Sequence, residues 1–225
     1  DLTNAQKKVT QEIKNDLEKN YPMQRLLQGD VGSGKTVVAT IAALQVVENG
    51  SQVAFMAPTE ILAEQHYRKL YEWLTPLDIE VAWLTGSQSK KDREISLKMT
   101  QSGEAHIVVG THALFQEHVI FNKLGLSIID EQHRFGVEQR LALRKKGQLD
   151  KANEPHQLMM SATPIPRTLS MSYFADLDVS IIDELPKGRE AIVTKLFSED
   201  RREEILKRVH EVCHTGAQVY WVCPL

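Results

Sequence analysis

Cysteine is nearly absent: only Cys213 and Cys223 occur in 225 residues. Their spacing fits neither a zinc nor a dithiol motif, and two are too few for a disulfide framework. A reducing, cytoplasmic setting is therefore expected. Long apolar runs are lacking too, and none approaches the length that spans a bilayer, so no membrane role is expected. There is no surplus of positive charge. Lys and Arg number 27 against 30 Asp and Glu, a net charge of -3. That excludes a generally basic nucleic-acid coat but leaves room for a local binding track. The chain opens on Asp1 rather than Met, and nothing near it resembles a signal peptide, so it reads as an internal piece of a soluble protein. Repeats and low-complexity segments are also lacking. What remains is 42% hydrophobic and 25% charged, an ordinary globular composition that excludes a disordered chain. The length allows one large domain, or one domain and part of another.

Short apolar runs alternate with amphipathic stretches. Strands are predicted at 25–28, 53–56, 79–84, 107–109, 126–129 and 157–160. Helices are predicted at 35–48, from Thr59 to about Trp73, in a charged stretch to Ser102, and at 137–146; Pro166 suits the first turn of another. Strands alternating with helices argue for a mostly parallel sheet covered on both faces, an α/β fold. Pro186 and Gly188 within a charged stretch suggest a connector at 185–190. Beyond it, 191–197 reads as extended, 201–214 as a helix and 218–223 as a strand. Those units are too few to bury a core and read as the opening of a second domain over 191–225.

Gly29-Asp30-Val31-Gly32-Ser33-Gly34-Lys35-Thr36 fits G-x-x-x-x-G-K-[ST] between a predicted strand and a predicted helix. The glycines let successive backbone N–H groups converge on phosphate oxygens, and the helix start adds its positive end. Lys35 can reach the β and γ phosphates, and the Thr36 hydroxyl can ligate Mg²⁺. The plainer reading is a Gly-rich turn before a helix, but the pattern's place between a strand and a helix is the one the phosphate-binding mechanism demands. Asp130-Glu131-Gln132-His133 follows an apolar strand. An acid there projects into the crevice where α/β sheets bind ligands. Asp130 is placed to hold Mg²⁺, and Glu131 is the candidate base for an attacking water. By itself this could be a solvated turn; after a phosphate loop it completes one Mg-nucleotide site. Ser161-Ala162-Thr163 ends another apolar strand and would by itself suggest only a cap.

In order, Gln6, residues 29–36, Ala57-Pro58-Thr59-Glu60, Gly110-Thr111-His112-Ala113-Leu114, residues 130–133 and Ser161-Ala162-Thr163-Pro164 resemble a superfamily 2 helicase motor. More narrowly, residues 130–137, 161–168, 183–189 and 220–225 resemble the bacterial RecG helicases. A transcription-repair coupling factor is a near relative, but Gln132 stands where that group usually has an acid. The resemblance implies a RecA-like domain over 1–184, the connector, and an incomplete second RecA-like domain. It implies an ATP- and Mg²⁺-dependent translocase on branched double-stranded DNA that remodels stalled forks and Holliday junctions. By motif, Gln6 would read the adenine edge, an amide being able to donate and accept at once. Gly29, Asp30, Gly32, Ser33, Gly34, Lys35 and Thr36 would bind nucleotide with Gln132 and His133. His133, Ser161 and Thr163 would couple nucleotide state to DNA. DNA contacts would come from Pro58, Thr59, Thr85, Gly86, Ser87, Thr111 and His112, through backbone N–H groups and hydroxyls that need no net positive charge. The basic run Arg140, Arg144, Lys145 and Lys146 reads rather as a solvated helix end.

The resemblance further implies a bacterial, nucleoid-associated monomer. A wedge domain before Asp1, and the across-cleft arginines in the rest of the second motor domain, would lie outside this chain. Three competing readings stand beside it. His210-Glu211-Val212-Cys213-His214 matches H-E-x-x-H, but no His, Asp or Glu follows it to complete a ligand set. A P-loop phosphotransferase needs no Ser-Ala-Thr strand end. A non-hydrolysing ATP-binding scaffold needs Asp130 more than Glu131.

Overall fold

The computed structural model describes residues 1–131, 154–163, 177–184 and 192–223. The chain divides into two units, Asp1–Lys187 and Gly188–Leu225. The first is built on a seven-stranded sheet in which every described strand pair is parallel. Its order is β3-β4-β2-β5-β6-β1-β7. The strands are β1 (Gln24–Gly29), β2 (Gln52–Met56), β3 (Val81–Leu84), β4 (Ile107–Gly110), β5 (Leu124–Ile129), β6 (His156–Ser161) and β7 (Asp178–Ile182).

The period of two sends neighbouring residues to opposite faces of this sheet. Leu27, Val53 and Phe55 join one core cluster, while Leu26, Ala54 and Met56 join the other. With both faces covered, β2 and β4 are buried at every position. Such strands read as continuous apolar runs rather than alternating ones.

Helices α1 (Asn4–Leu17), α2 (Lys35–Glu48), α3 (Glu60–Leu74) and α4 (Lys90–Ser102), with single 3₁₀ turns at Thr75–Leu77 and His112–Phe115, complete the described first unit. Each start has a local cause. Thr3 accepts from the Gln6 N–H while the Gln6 side chain takes the Thr3 N–H, a reciprocal cap. Thr59 and Ser89 cap α3 and α4 through their hydroxyls. The helix α2 has no side-chain cap, since Gly34 precedes it. It lies against the sheet through Val38, Ala39, Ala42, Ala43 and Val46.

The helix α1 and strand β7 carry no prediction from the sequence. The buried apolar residues of α1 are only Ala5, Val9 and Ile13, beside the buried Asp16, in a polar helix. The strand β7 is a half-exposed edge strand. The predicted strand at 79–84 begins at Val81 instead. The Ile79 and Glu80 N–H groups are spent on the Leu74 carbonyl and on His106 Nδ1. The expected helices at 137–146 and after Pro166, the basic run 140–146 and the connector 185–190 lie outside the described residues.

In the second unit the regular elements described are a single turn at Glu199–Arg201 and helix α5 (Arg202–His214). Residues 218–223 are not a strand, contrary to the sequence expectation. A strand exists through its ladder partners, and these residues have none among those described: Tyr220 is 89% exposed. Residues 192–198 likewise form no regular element.

Candidate nucleotide site and neighbouring loops

All the candidate residues described in the first unit, apart from Gln6 on α1, follow the carboxyl ends of strands, where open α/β sheets bind ligands. The sheet order splits them into two halves. On one half the phosphate loop follows β1, Ser161 ends β6 and Asp130 follows β5. On the other half Pro58 and Thr59 follow β2, Thr85-Gly86-Ser87 follow β3 and Thr111-His112 follow β4.

The phosphate loop requires left-handed backbone at Gly32 (φ 81°) and Gly34 (φ 90°). At Gly34 a Cβ would also collide with Gln6 Nε2. That amide donates to the Ser33 carbonyl at 2.8 Å while its oxygen accepts from the Thr3 N–H at 2.9 Å. Gln6 thus fastens α1 to the loop, a role not read from the sequence. Lys35 Nζ donates to the carbonyls of Gly29 (2.7 Å) and Asp30 (3.0 Å). Burial pushes the Lys35 ammonium below the usual lysine value, and the charges of Asp130, Glu131 and Asp30 pull it partly back. Ser33 Oγ is buried with no hydrogen-bond partner among the described residues. A desolvated cation on neutral carbonyls, an orphaned hydroxyl and a left-handed glycine turn suit an anion such as a phosphate chain. Thr36 follows Lys35 in the first turn of α2.

Asp130 is buried. Its N–H donates to the Met56 carbonyl at 2.8 Å, and its Oδ1 accepts from the Glu131 N–H at 3.0 Å. Glu131 itself sits at φ 52°, a region costly for a residue with a Cβ. Asp130 Oδ2 lies 2.7 Å from Nε2 of His66. His66 was missed in the sequence, although a signal exists. It is the polar member of the α3 stripe Ala63, His66, Leu70 and Leu74, where burial demands a partner. Ser161 Oγ and Thr163 Oγ1 lie 3.0 Å apart, and the Thr163 N–H donates to Ser161 Oγ at 3.2 Å, which closes that strand end into a tight turn. Gln132 and His133 lie outside the described residues.

The loops of the other half are tied together. Glu60 Oε1 accepts from the Ser87 N–H at 3.2 Å. Arg93, on α4, donates to the Thr85 carbonyl at 3.1 Å and to Gln116 Oε1 at 2.6 Å. Thr85 and Thr111 are buried, whereas Gly86, Ser87 and His112 are exposed. The Thr111 hydroxyl has no hydrogen-bond partner among the described residues. In the second unit His210 and His214 meet at 3.2 Å on α5. Among the described residues no group of three or more His, Cys, Asp or Glu could hold a metal ion.

A parallel sheet with a glycine-rich loop after one inner strand and an acid two strands away is the arrangement of a RecA-like α/β domain. A family model for the DEAD/DEAH box helicases matches residues 3–172. The chain belongs to the DEAD/DEAH box helicase family. It is 60% identical over 225 residues to the ATP-dependent DNA helicase RecG of Haemophilus influenzae, a match covering 99% of this chain and 32% of that protein. Against the RecG of Escherichia coli K12 it is 56% identical over 224 residues, with the same coverage. A solved structure of RecG bound to a three-way DNA junction superposes with a TM-score of 0.86 at 46% identity. That match covers 100% of this chain and 30% of that one. The chain therefore spans about a third of the length of the relatives it matches. These similarities do not favour the phosphotransferase or coupling-factor readings. Among the described residues no helix is long and apolar enough to cross a membrane.

Proposed function

We propose that this chain is the nucleotide-binding part of an ATP-dependent DNA helicase of the RecG type, acting on branched double-stranded DNA. The observation that carries this is the division of one sheet edge. Phosphate loop, acid and Ser-Ala-Thr strand end occupy one half, and the loops after β2, β3 and β4 occupy the other, the first two joined by Glu60 and the Ser87 N–H. Lys35, Ser33 and the loop N–H groups would hold the phosphates, with Thr36 and Asp130 holding Mg²⁺ and Gln6 at the adenine. Mg²⁺, when bound, neutralises charge that develops on the phosphate oxygens. Glu131 would orient and deprotonate the attacking water. Ser161 and Thr163, with His133, would pass nucleotide state to the DNA side, and Gln132 and His133 would contact the nucleotide. There Pro58, Thr59, Gly86, Ser87 and His112 would meet the phosphate backbone, with Thr85 and Thr111 shaping their loops.

Replication forks and Holliday junctions are the proposed substrates. The proposed partners within a monomeric, nucleoid-associated protein are a wedge domain and the rest of a second motor domain. Closing and reopening of the cleft between motor domains would step the protein along the duplex. The test uses the full-length protein on fork, Holliday-junction and linear duplex DNA. Lys35→Ala should abolish ATP-dependent unwinding of all branched substrates; normal unwinding by that variant would overturn the site. DNA that fails to stimulate phosphate release from the wild type would overturn the motor reading.

A further inference from the structure

We propose that His66 is a positioning residue for the metal-site acid, holding the Asp130 carboxylate and making helix α3 part of that site. This rests on the reading of Asp130 as a Mg²⁺ ligand. Asp130 stands on the link just beyond β5, where two contacts fix its carboxylate. Oδ1 takes the Glu131 N–H at 3.0 Å and Oδ2 faces His66 Nε2 at 2.7 Å. An ionised carboxylate has no proton to give, so the imidazole must donate through Nε2. Each oxygen keeps a lone pair for a metal ion or its water.

The choice of residue is informative. Position 66 lies on the core-facing stripe of α3 between Ala63 and Leu70, where an apolar side chain would satisfy packing. Histidine packs there too, its ring 4.7 Å from that of Phe55 on β2 and tilted by 44°. Phe55 pairs with Ile128 of β5, so the imidazole is held at the junction of the two strands whose ends carry the two halves of the edge. A buried polar ring costs stability unless it is bonded. Here its bond goes to Asp130, the acid proposed to hold Mg²⁺. The same helix is capped by Thr59 and starts at Glu60, which holds the Ser87 N–H. A displacement of α3 therefore reaches the Asp130 carboxylate through a single hydrogen bond.

The test measures binding of a fluorescent ATP analogue to the full-length protein across a Mg²⁺ titration and in EDTA. Mg²⁺ should tighten binding by the wild type; if it does not, the reading of Asp130 fails on its own. His66→Leu removes the donor and keeps an apolar side chain. Its Mg²⁺ midpoint should rise roughly 10-fold or more, as is usual when a group orienting a metal ligand is lost, with affinity in EDTA unchanged. His66→Gln restores an N–H donor and should recover most of that loss. An unshifted midpoint in His66→Leu overturns the proposal and leaves the Asp130 site standing. So does an equal loss with and without Mg²⁺, or a His66→Gln variant no better than His66→Leu. Should His66→Leu not fold, His66→Met carries the same comparison.

Discussion

Beyond the end of β5 the backbone of Glu131 turns left-handed, at φ 52°. Only glycine enters that region freely, so holding a glutamate there costs on the order of 1 kcal/mol or more. Strain of this kind persists where surrounding contacts over-determine it. Here the Glu131 N–H is tied to Asp130 Oδ1 and the Asp130 N–H to Met56. A residue kept at such a cost points to a role for its carboxylate. In the full-length protein Glu131→Gln should bind ATP as the wild type does and lose turnover by about 100-fold or more, the usual contribution of a positioned base. Single-turnover phosphate release beside analogue binding checks this, and unchanged hydrolysis would remove Glu131 from the role.

The helix α1 is held to the sheet by charge as much as by packing. Arg25 on β1 is buried, donates to Asp16 Oδ2 at 2.6 Å and to Ser180 Oγ at 2.8 Å, and so links α1, β1 and β7. Burial drives the Asp16 carboxyl upward, but the hydrogen bonds from Arg25 and Lys19 outweigh it and leave the group below its ordinary value of 3.8. A depressed carboxyl contributes stability above its unfolded value and loses it as the pH falls through the lower folded one. Arg25→Met should therefore cost about 3 kcal/mol near pH 7, the low end for breaking a buried pair, because Lys19 still serves Asp16. As the pH is taken progressively below the ordinary carboxyl value of 3.8, the penalty should shrink as the wild type loses the same interaction. Urea unfolding across that pH range measures both. The network also sets where α1 lies, and so where Gln6 meets the phosphate loop.

At the scale of the whole molecule the two units differ in kind. The first buries two apolar clusters, one on each face of its sheet. In the second, α5 has no buried residue, and Ile192, Val193 and Leu196 are 75% exposed or more. A motor of the proposed type needs groups from a second domain at the γ-phosphate, worth orders of magnitude in rate. This chain by itself should then bind nucleotide, turn it over at a small fraction of the full-length rate and unwind nothing. Junction-stimulated turnover by the chain alone, measured beside the full-length protein, would contradict this.

Features carried by contiguous residues are legible in the chain before it folds. The phosphate loop was legible because its glycines, Lys35 and Thr36 act through one stretch of backbone. Six strands were legible because burial on both faces leaves unbroken apolar runs. The helix α1 was not, since three small or branched residues in a polar segment make too narrow a stripe. Residues 218–223 have the pattern of a strand but form none, because a β-prone run becomes a strand only beside a partner. Tertiary structure alone decided the strand order, and with it the placing of residues 29–36, 130 and 161 along one edge. It alone joined His66 to Asp130, 64 residues apart, and Gln6 to Ser33. The physical reason is range: local backbone preferences are written in neighbouring residues, whereas a buried hydrogen bond across the sheet exists only once packing has excluded water from both partners.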